Sequence, residues 1–372
     1  MRRADLIRVG VFLLAAVAVL LLPRLISDFR AQQFAYVGIY FIALIGLNLL
    51  TGVTGQISLG HGAFMLIGGY TTAILMSNED PRLELLGHTF SNDMRDIWTI
   101  PIAGLVAGLA GFLFGFPALR LTGLYLALAT FAIAVASPAV VKKFDGLSGG
   151  GGGINLFAVE GRTGRSVTDP VTFESKQGAD IFGLHLASFN EWLYYLCWTL
   201  ALVMFGVAWL LLRGRFGRTL RAVRDSELAA ASSGVNLARY KTLAFGISAF
   251  YAGVAGSLLA IATTFVNPDT FPITLSIFLL VGVVVGGLGS LWPLVFGAIF
   301  IHFMQIEWAQ RVEAVIPNWL PLLGDFDTDA PGAPAVAFGV ILILIMLAAP
   351  GGAAGLIRSL RALATRGLQR VR

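Results

Sequence analysis

The chain of 372 residues is 57% hydrophobic and only 13% charged, with a formal net charge of +5. Soluble domains average roughly 45–50% apolar and about 25% charged residues, so a water-soluble fold would show more apolar surface than it could hide, and lipid is the solvent that fits. The positive balance does not indicate nucleic acid, because the Lys and Arg residues gather at the ends of apolar segments, as in cytoplasmic loops.

A helix that crosses the hydrocarbon needs about 20 apolar residues, within a range of roughly 17–25. Met1-Arg2-Arg3 and the apolar run 9–22 have the layout of a signal peptide, but Pro23-Arg24 follow and no Ala-x-Ala site does. The run therefore reads as an uncleaved first span, residues 9–26. Further spans are predicted at 34–50, 57–76, 99–117 and 122–141, and, after a long loop, at 191–212, 242–262, 273–287, 291–306 and 335–350. That makes about ten, the eighth and ninth short enough to be tilted, broken or re-entrant. The fold class is an all-α polytopic membrane protein, one integral-membrane domain over residues 1–372. Its 44 glycines fit close helix approach in lipid. Cys197, the only cysteine, lies in an apolar run and reads as packing, which excludes an internal disulfide framework.

Charge asymmetry orients the chain. Residues 213–241 carry Arg213, Arg215, Arg218, Arg221, Arg224, Arg239 and Lys241 against Asp225 and Glu227. The tail 351–372 carries Arg358, Arg361, Arg366, Arg370 and Arg372 with no acid, and the N-terminus carries Arg2, Arg3 and Arg8 against Asp5. The positive-inside rule puts all three in the cytoplasm, and ten crossings place them on one side. The opposite side receives 77–98, 142–190 and 307–334, of which the first and third are richer in acids than in bases. The 142–190 loop is external, expected to be flexible at its glycine run, Gly149 to Gly153, and to carry a small irregular excursion. Residues 48–65 and 282–300 both read as apolar segment, glycine-rich hinge, apolar segment, hinting at a duplicated broken helix near the bilayer midplane.

Absences are informative. The chain has no Gly-x-x-x-x-Gly-Lys-Ser/Thr loop and no Gly-Lys dipeptide, so it lacks the usual nucleotide cradle. His61, His88, His185 and His302 are widely separated, without metal-ligand spacing. Carboxylates are nearly missing from the apolar spans, which leaves little to bind a coupling ion. A transporter built this way needs an outside energy source, and residues 213–240 are the natural receiver. Leu220, Val223, Leu228 and Ala231 recur at near-helical spacing, with Arg218, Arg221, Arg224 and Asp225 on other sides. This is an amphipathic helix or helix pair, with Gly234 as its C-cap. It serves either as a basic helix held by lipid headgroups or as a coupling helix seated in a groove of a cytoplasmic ATPase.

Four stretches resemble the branched-chain amino acid ABC-importer permeases. They are LNLLTGVTGQISLGHGAFMLIGGY at 47–70, LRLTGLYLALAT at 119–130, RTLRAVRDSELAAASSG at 218–234 and GGLGSLWPLVFGA at 286–298. Their order spans most of the chain, and its size and long middle loop resemble the M-type member of a permease pair. The resemblance implies the many-helix importer architecture in a bacterial inner membrane, with both termini cytoplasmic. It also implies a second paralogous permease, two cytoplasmic ATPases that bind the ATP, and an extracytoplasmic substrate-binding protein, with no cofactor in this chain. The general coupling motif is Glu-Ala-Ala, three residues, then Gly. Here Glu227 stands one residue too far from Gly234, a degenerate form common in this family.

The coupling residues implied are Arg218, Arg221, Arg224, Asp225, Glu227, Ala230 and Gly234. For the translocation path the candidates are the polar groups Asn48, Thr51, Gln56, Ser58 and His61, with Thr54 beside them. In lipid such groups bond to neighbouring helices or line water; interhelical bonding, worth about 0.6–2 kcal/mol each, is the plainer role. The chain itself catalyses no bond chemistry. Branched-chain amino acids are the expected cargo, with urea or short amides as the alternative within the family. A self-contained ion-coupled carrier and a membrane-embedded enzyme are the readings from other classes.

Overall fold

The computed structural model describes residues 19, 22–24, 26–76, 83–85, 88–90, 96–118, 121, 123–156, 179–181, 184–186, 189–304, 339, 343, 347 and 351–356. Most of the spans predicted at 9–26 and 335–350, and most of the basic tail, lie outside the described residues. The other eight predicted spans each contain a helix. They are α1 (Asp28–Leu47), α2 (His61–Met76), α3 (Asp96–Ala118), α4 (Leu124–Lys142), α5 (Phe189–Arg213), α8 (Leu237–Thr263), α9 (Ile273–Gly286) and α10 (Leu294–Phe303), with the connector helices α6 (Arg215–Asp225) and α7 (Glu227–Ser232) between α5 and α8. Among the described residues, six helical stretches are long and apolar enough to cross a membrane, and α2 and α10 are shorter.

Two helices form the centre. In α1 and α8, 83% of the most apolar window is buried, against 22–33% in α3, α4 and α5. The outer helices therefore show apolar faces: Leu105, Leu109 and Leu113 on α3, Tyr125, Leu128 and Val135 on α4, Val203, Val207 and Leu210 on α5. Such a surface is unsuited to water and suited to hydrocarbon. Small residues set the central crossings. A Cβ on Gly253 of α8 would lie 2.5 Å from the Cβ of Ala107 and 2.7 Å from the carbonyl oxygen of Ala103, while the backbone of Gly68 in α2 presses on its other side. Cys197 is buried in the core beside Gly38.

The bundle has two distinct ends. At one, α6 packs against residues 48–53 after α1 and the end of α3, and its Arg224 reaches the turn after α9. At the other, Lys142 pairs with Asp269 at 2.9 Å, and β3 (Ile154–Asn155) and β6 (Phe265–Val266) form an antiparallel ladder with Ile154 opposite Val266. Two more antiparallel ribbons, β1 (Leu83–Leu85) with β2 (His88–Phe90) and β4 (Ala179–Ile181) with β5 (Leu184–Leu186), lie in the connections. The glycine run after α4 makes a series of tight turns. Gly149, Gly150 and Gly153 take positive φ, and the Ser148 hydroxyl bonds the carbonyls of Val141 and Phe144.

The two glycine hinges are not copies. After α1 the chain makes a wide π-type turn over Asn48–Val53, turns at Gly55 (φ +75°), and runs back non-helically through Gly60. α2 then starts inside the bundle, with the His61 ring beside Gly46 of α1. This is a broken span. The second stretch is a tight turn: Gly287 (φ +109°) and Gly289 (φ +77°) stop α9, and α10 restarts after Pro293 and packs back onto Gly282.

Candidate functional site

The four sequence blocks converge on the broken span. Leu59 donates its N–H to Thr130 Oγ1 at 3.0 Å, joining the first block to the second. Asn48 joins it to the fourth: its Nδ2 donates to the Ser290 carbonyl at 3.1 Å, and its Oδ1 accepts the Gly289 N–H at 2.8 Å. Arg224 joins it to the third, with Nη1 donating to the Gly52 carbonyl at 2.5 Å. Helix ends leave carbonyls without partners, and here a charged side chain and an amide supply them.

The polar groups expected at the path fall into two sets. Asn48 is fully buried and committed to the α9–α10 turn. Thr51 Oγ1 donates to the Gln56 carbonyl at 3.1 Å, Thr54 Oγ1 to the Leu50 carbonyl, and Ser58 Oγ accepts the Gly60 N–H at 3.3 Å. At the start of α2 the Gly62 N–H is taken by Ser276 Oγ at 2.9 Å. These are the bonds that let a non-helical backbone exist inside a bundle. Gln56 Oε1 and His61 Nε2 are buried and have no hydrogen-bond partner, so in this set these two atoms are left entirely unpaired.

The connector is a helix pair, as the sequence allowed. Ser226 ends α6 and caps α7, its Oγ accepting the Ala229 N–H at 3.2 Å. Gly234 (φ +83°) closes α7 with a Schellman pattern: its N–H bonds the Ala231 carbonyl, and the Val235 N–H bonds the Ala230 carbonyl. Asn236 then caps α8 through the Arg239 N–H at 3.1 Å. One expectation is corrected. The apolar stripe does not continue past Ser226: Leu220, Val223 and Ala230 are buried, but Ala231 is exposed and Leu228 is 85% exposed. The extended backbone at Ser226 resets the helical phase between α6 and α7.

The basic residues divide likewise. Arg218 is exposed. Arg221 stays local, its Nε donating to the Gly217 carbonyl at 3.2 Å and its Nη2 to the Leu212 carbonyl at 2.8 Å. Lys241, at the start of α8 and only 8% exposed, pairs with Glu227 Oε2 at 2.7 Å. Asp225 borders a cavity of about 250 Å³ that is also lined by Gln56, Leu126, Arg224, Glu227 and Phe245. Among the described residues no three His, Cys, Asp or Glu side chains are placed to hold a metal.

Some residues of the site were not singled out from sequence. Thr130 and Ser290 lie within the quoted blocks, so the blocks themselves were the signal. Ser276 had none. Near the opposite end, His302 Nε2 lies 2.5 Å from Gln33 Oε1, and its ring stacks on Tyr36 with centroids 5.4 Å apart. The spacing of Gln33, Tyr36 and Tyr40 along one face of α1 was the available hint.

Comparison with known proteins follows the same lines. The family model described as the permease component of branched-chain amino acid transport systems matches residues 30–350. The chain is 37% identical over 273 residues to the Escherichia coli high-affinity branched-chain amino acid transport system permease protein LivM, covering 71% of this chain and 60% of that protein. The Salmonella typhimurium LivM is 35% identical over the same shares, so the match spans about three-fifths of these relatives. A probable branched-chain amino acid transport permease LivM of Methanocaldococcus jannaschii is 23% identical over 87% of this chain and 93% of its own length. No solved structure matches the chain.

Proposed function

Given that the chain belongs to the family of branched-chain amino acid transport permease components, we propose that it is the translocating subunit of an importer driven by separate ATPases, carrying branched-chain or related small amino acids. It is a multi-pass membrane protein. Its partners in this reading are a second, paralogous permease, two cytoplasmic ATPases that bind ATP, and an extracytoplasmic binding protein that delivers cargo. The connector and both termini face the cytosol.

The observation that carries this reading is the two-sidedness of the connector. One face is locked to the bundle through Leu220, Val223, Arg224, Ala230 and the Glu227–Lys241 pair. The other, with Arg218 and Leu228, is open. A short amphipathic helix pair with an exposed apolar tip suits a groove in a partner. ATP closes the ATPases outside this chain, the connector moves with them, and the bundle shifts between two states whose differential contacts set the direction of transport.

Sidedness is the test. Ser232 is exposed on α7, and the native Cys197 thiol is buried, so Ser232→Cys supplies one reactive site. A membrane-impermeant maleimide should label it only after intact cells are opened. Labelling from outside would remove the connector from the cytosol and end the proposal.

A further inference from the structure

We infer that Arg224 is the positioning residue that carries movement of the connector into the bundle. The inference rests on the importer reading above, and it separates Arg224 from the docking residues. Arg224 lies in the last turn of α6, yet its guanidinium reaches the end of α1, donating to Gly52. A Cβ on Gly289 would lie 3.5 Å from that same nitrogen and 3.4 Å from the Gly52 oxygen. The α9–α10 turn therefore closes on the contact from a third side, held there by Asn48. One side chain thus touches the connector, the wide turn that ends α1, and the turn between α9 and α10.

Leu220 packs against Leu50 and Val53 of the wide turn, but the connector's Arg221, Glu227 and Lys241 bond elsewhere. Arg221 bonds within α5–α6, Arg218 is exposed, and the Glu227–Lys241 pair joins α7 to the base of α8. A cation beside the carbonyl end of a helix is favoured by the helix dipole, and the planar guanidinium fixes direction as well as charge. The cavity of about 250 Å³ between this contact and Leu126 and Phe245 leaves α6 room to move together with Gly52 and Gly289 against α4 and α8. A tilt of α6 then pulls on both glycine turns at once.

The test uses the full complex in proteoliposomes: this chain, the second permease, both ATPases and the binding protein. Uptake of radiolabelled leucine and release of phosphate are measured in parallel. Arg224→Met is expected to keep the ATPases bound and to lower leucine taken up per ATP by about fivefold or more, the lower end of typical coupling factors. Arg224→Lys, which keeps the charge, recovers part of that ratio. A second variant ties α6 covalently to the segment just after the wide turn. A Cβ on Gly55 would lie 3.8 Å from the Arg224 Cβ, inside the disulfide range of about 3.5–4.5 Å. Gly55→Cys with Arg224→Cys should transport poorly when reduced and regain at least about half the parent ratio when oxidised, because a tie worth 5–150-fold in coupling is restored. Both states carry the same strained substitution, so the comparison is internal. An unchanged ratio in Arg224→Met, loss of ATPase binding by that variant, or a block of residual uptake on oxidation overturns the inference. Failure of the unaltered chain to bind ATPases overturns the importer reading itself.

Discussion

Replacing Asn48 by leucine should loosen the joint between the broken span and the α9–α10 turn. The substitution keeps approximate volume but strips the Gly289 N–H and the Ser290 carbonyl of their partner. Hydrogen bonds between membrane helices average about 0.6 kcal/mol and reach about 1.7, so two such bonds put the loss at about 1–3 kcal/mol. At roughly 2–4 °C per kcal/mol for a domain of this order of size, the melting temperature should fall by about 2–12 °C. Gly52→Ala attacks the same joint from the other side, since its Cβ would run into Asn48 Oδ1 and sit 2.6 Å from the Gly289 nitrogen. Thermal unfolding of the purified chain in detergent, followed by tryptophan fluorescence, reads both. Gly206→Ala on α5 is the control, because nothing lies within 4 Å of its added methyl group and alanine gains up to about 1 kcal/mol of helix propensity. If both variants melt within about 1 °C of the parent, where a 1 kcal/mol loss would be seen, the joint is not where the chain is held.

Three further outcomes follow from the geometry. Leu228→Asp, on the exposed tip of α7, should abolish co-purification of the ATPases while leaving melting within about 0.5 kcal/mol of the parent, whereas Ala230→Asp, which buries a carboxylate against the bundle, should depress the yield of folded chain. Glu227→Gln should destabilise by about 1–2 kcal/mol, below the 3–5 of a fully buried pair because Glu227 is half exposed, read by chemical denaturation in mixed micelles. Gly253→Val should lower stability by about 1–3 kcal/mol through overpacking between α2 and α3, seen as reduced monodisperse protein on size-exclusion chromatography.

Much of this was legible in the sequence because lipid imposes simple rules. Runs of about 20 apolar residues became helices, and Gly234 carried the C-cap of the connector in its own chemistry. The polar residues around Asn48 to His61 could be grouped, since polar atoms in lipid need partners. Their partners could not be named: Ser290 lies 242 positions from Asn48 along the chain, and Arg224 lies 172 from Gly52. The phase reset at Ser226 was hidden for a local reason. Leu228 and Ala231 continue the apolar spacing of α6, and only the extended backbone at Ser226 turns Ala230 inward instead. The two glycine stretches looked alike in composition, but the positive-φ Gly287 and Gly289 make one a hairpin, while six residues from Gly55 to Gly60, tied by Ser58 and Thr130, make the other a broken span.

The central claim is that this chain transports only when an ATPase outside it drives the connector. Leucine uptake into vesicles containing the chain, the second permease and the binding protein should be absent until both ATPases and ATP are added, and should then become concentrative. Accumulation by the chain alone, driven by a proton or sodium gradient and indifferent to ATP, would contradict it.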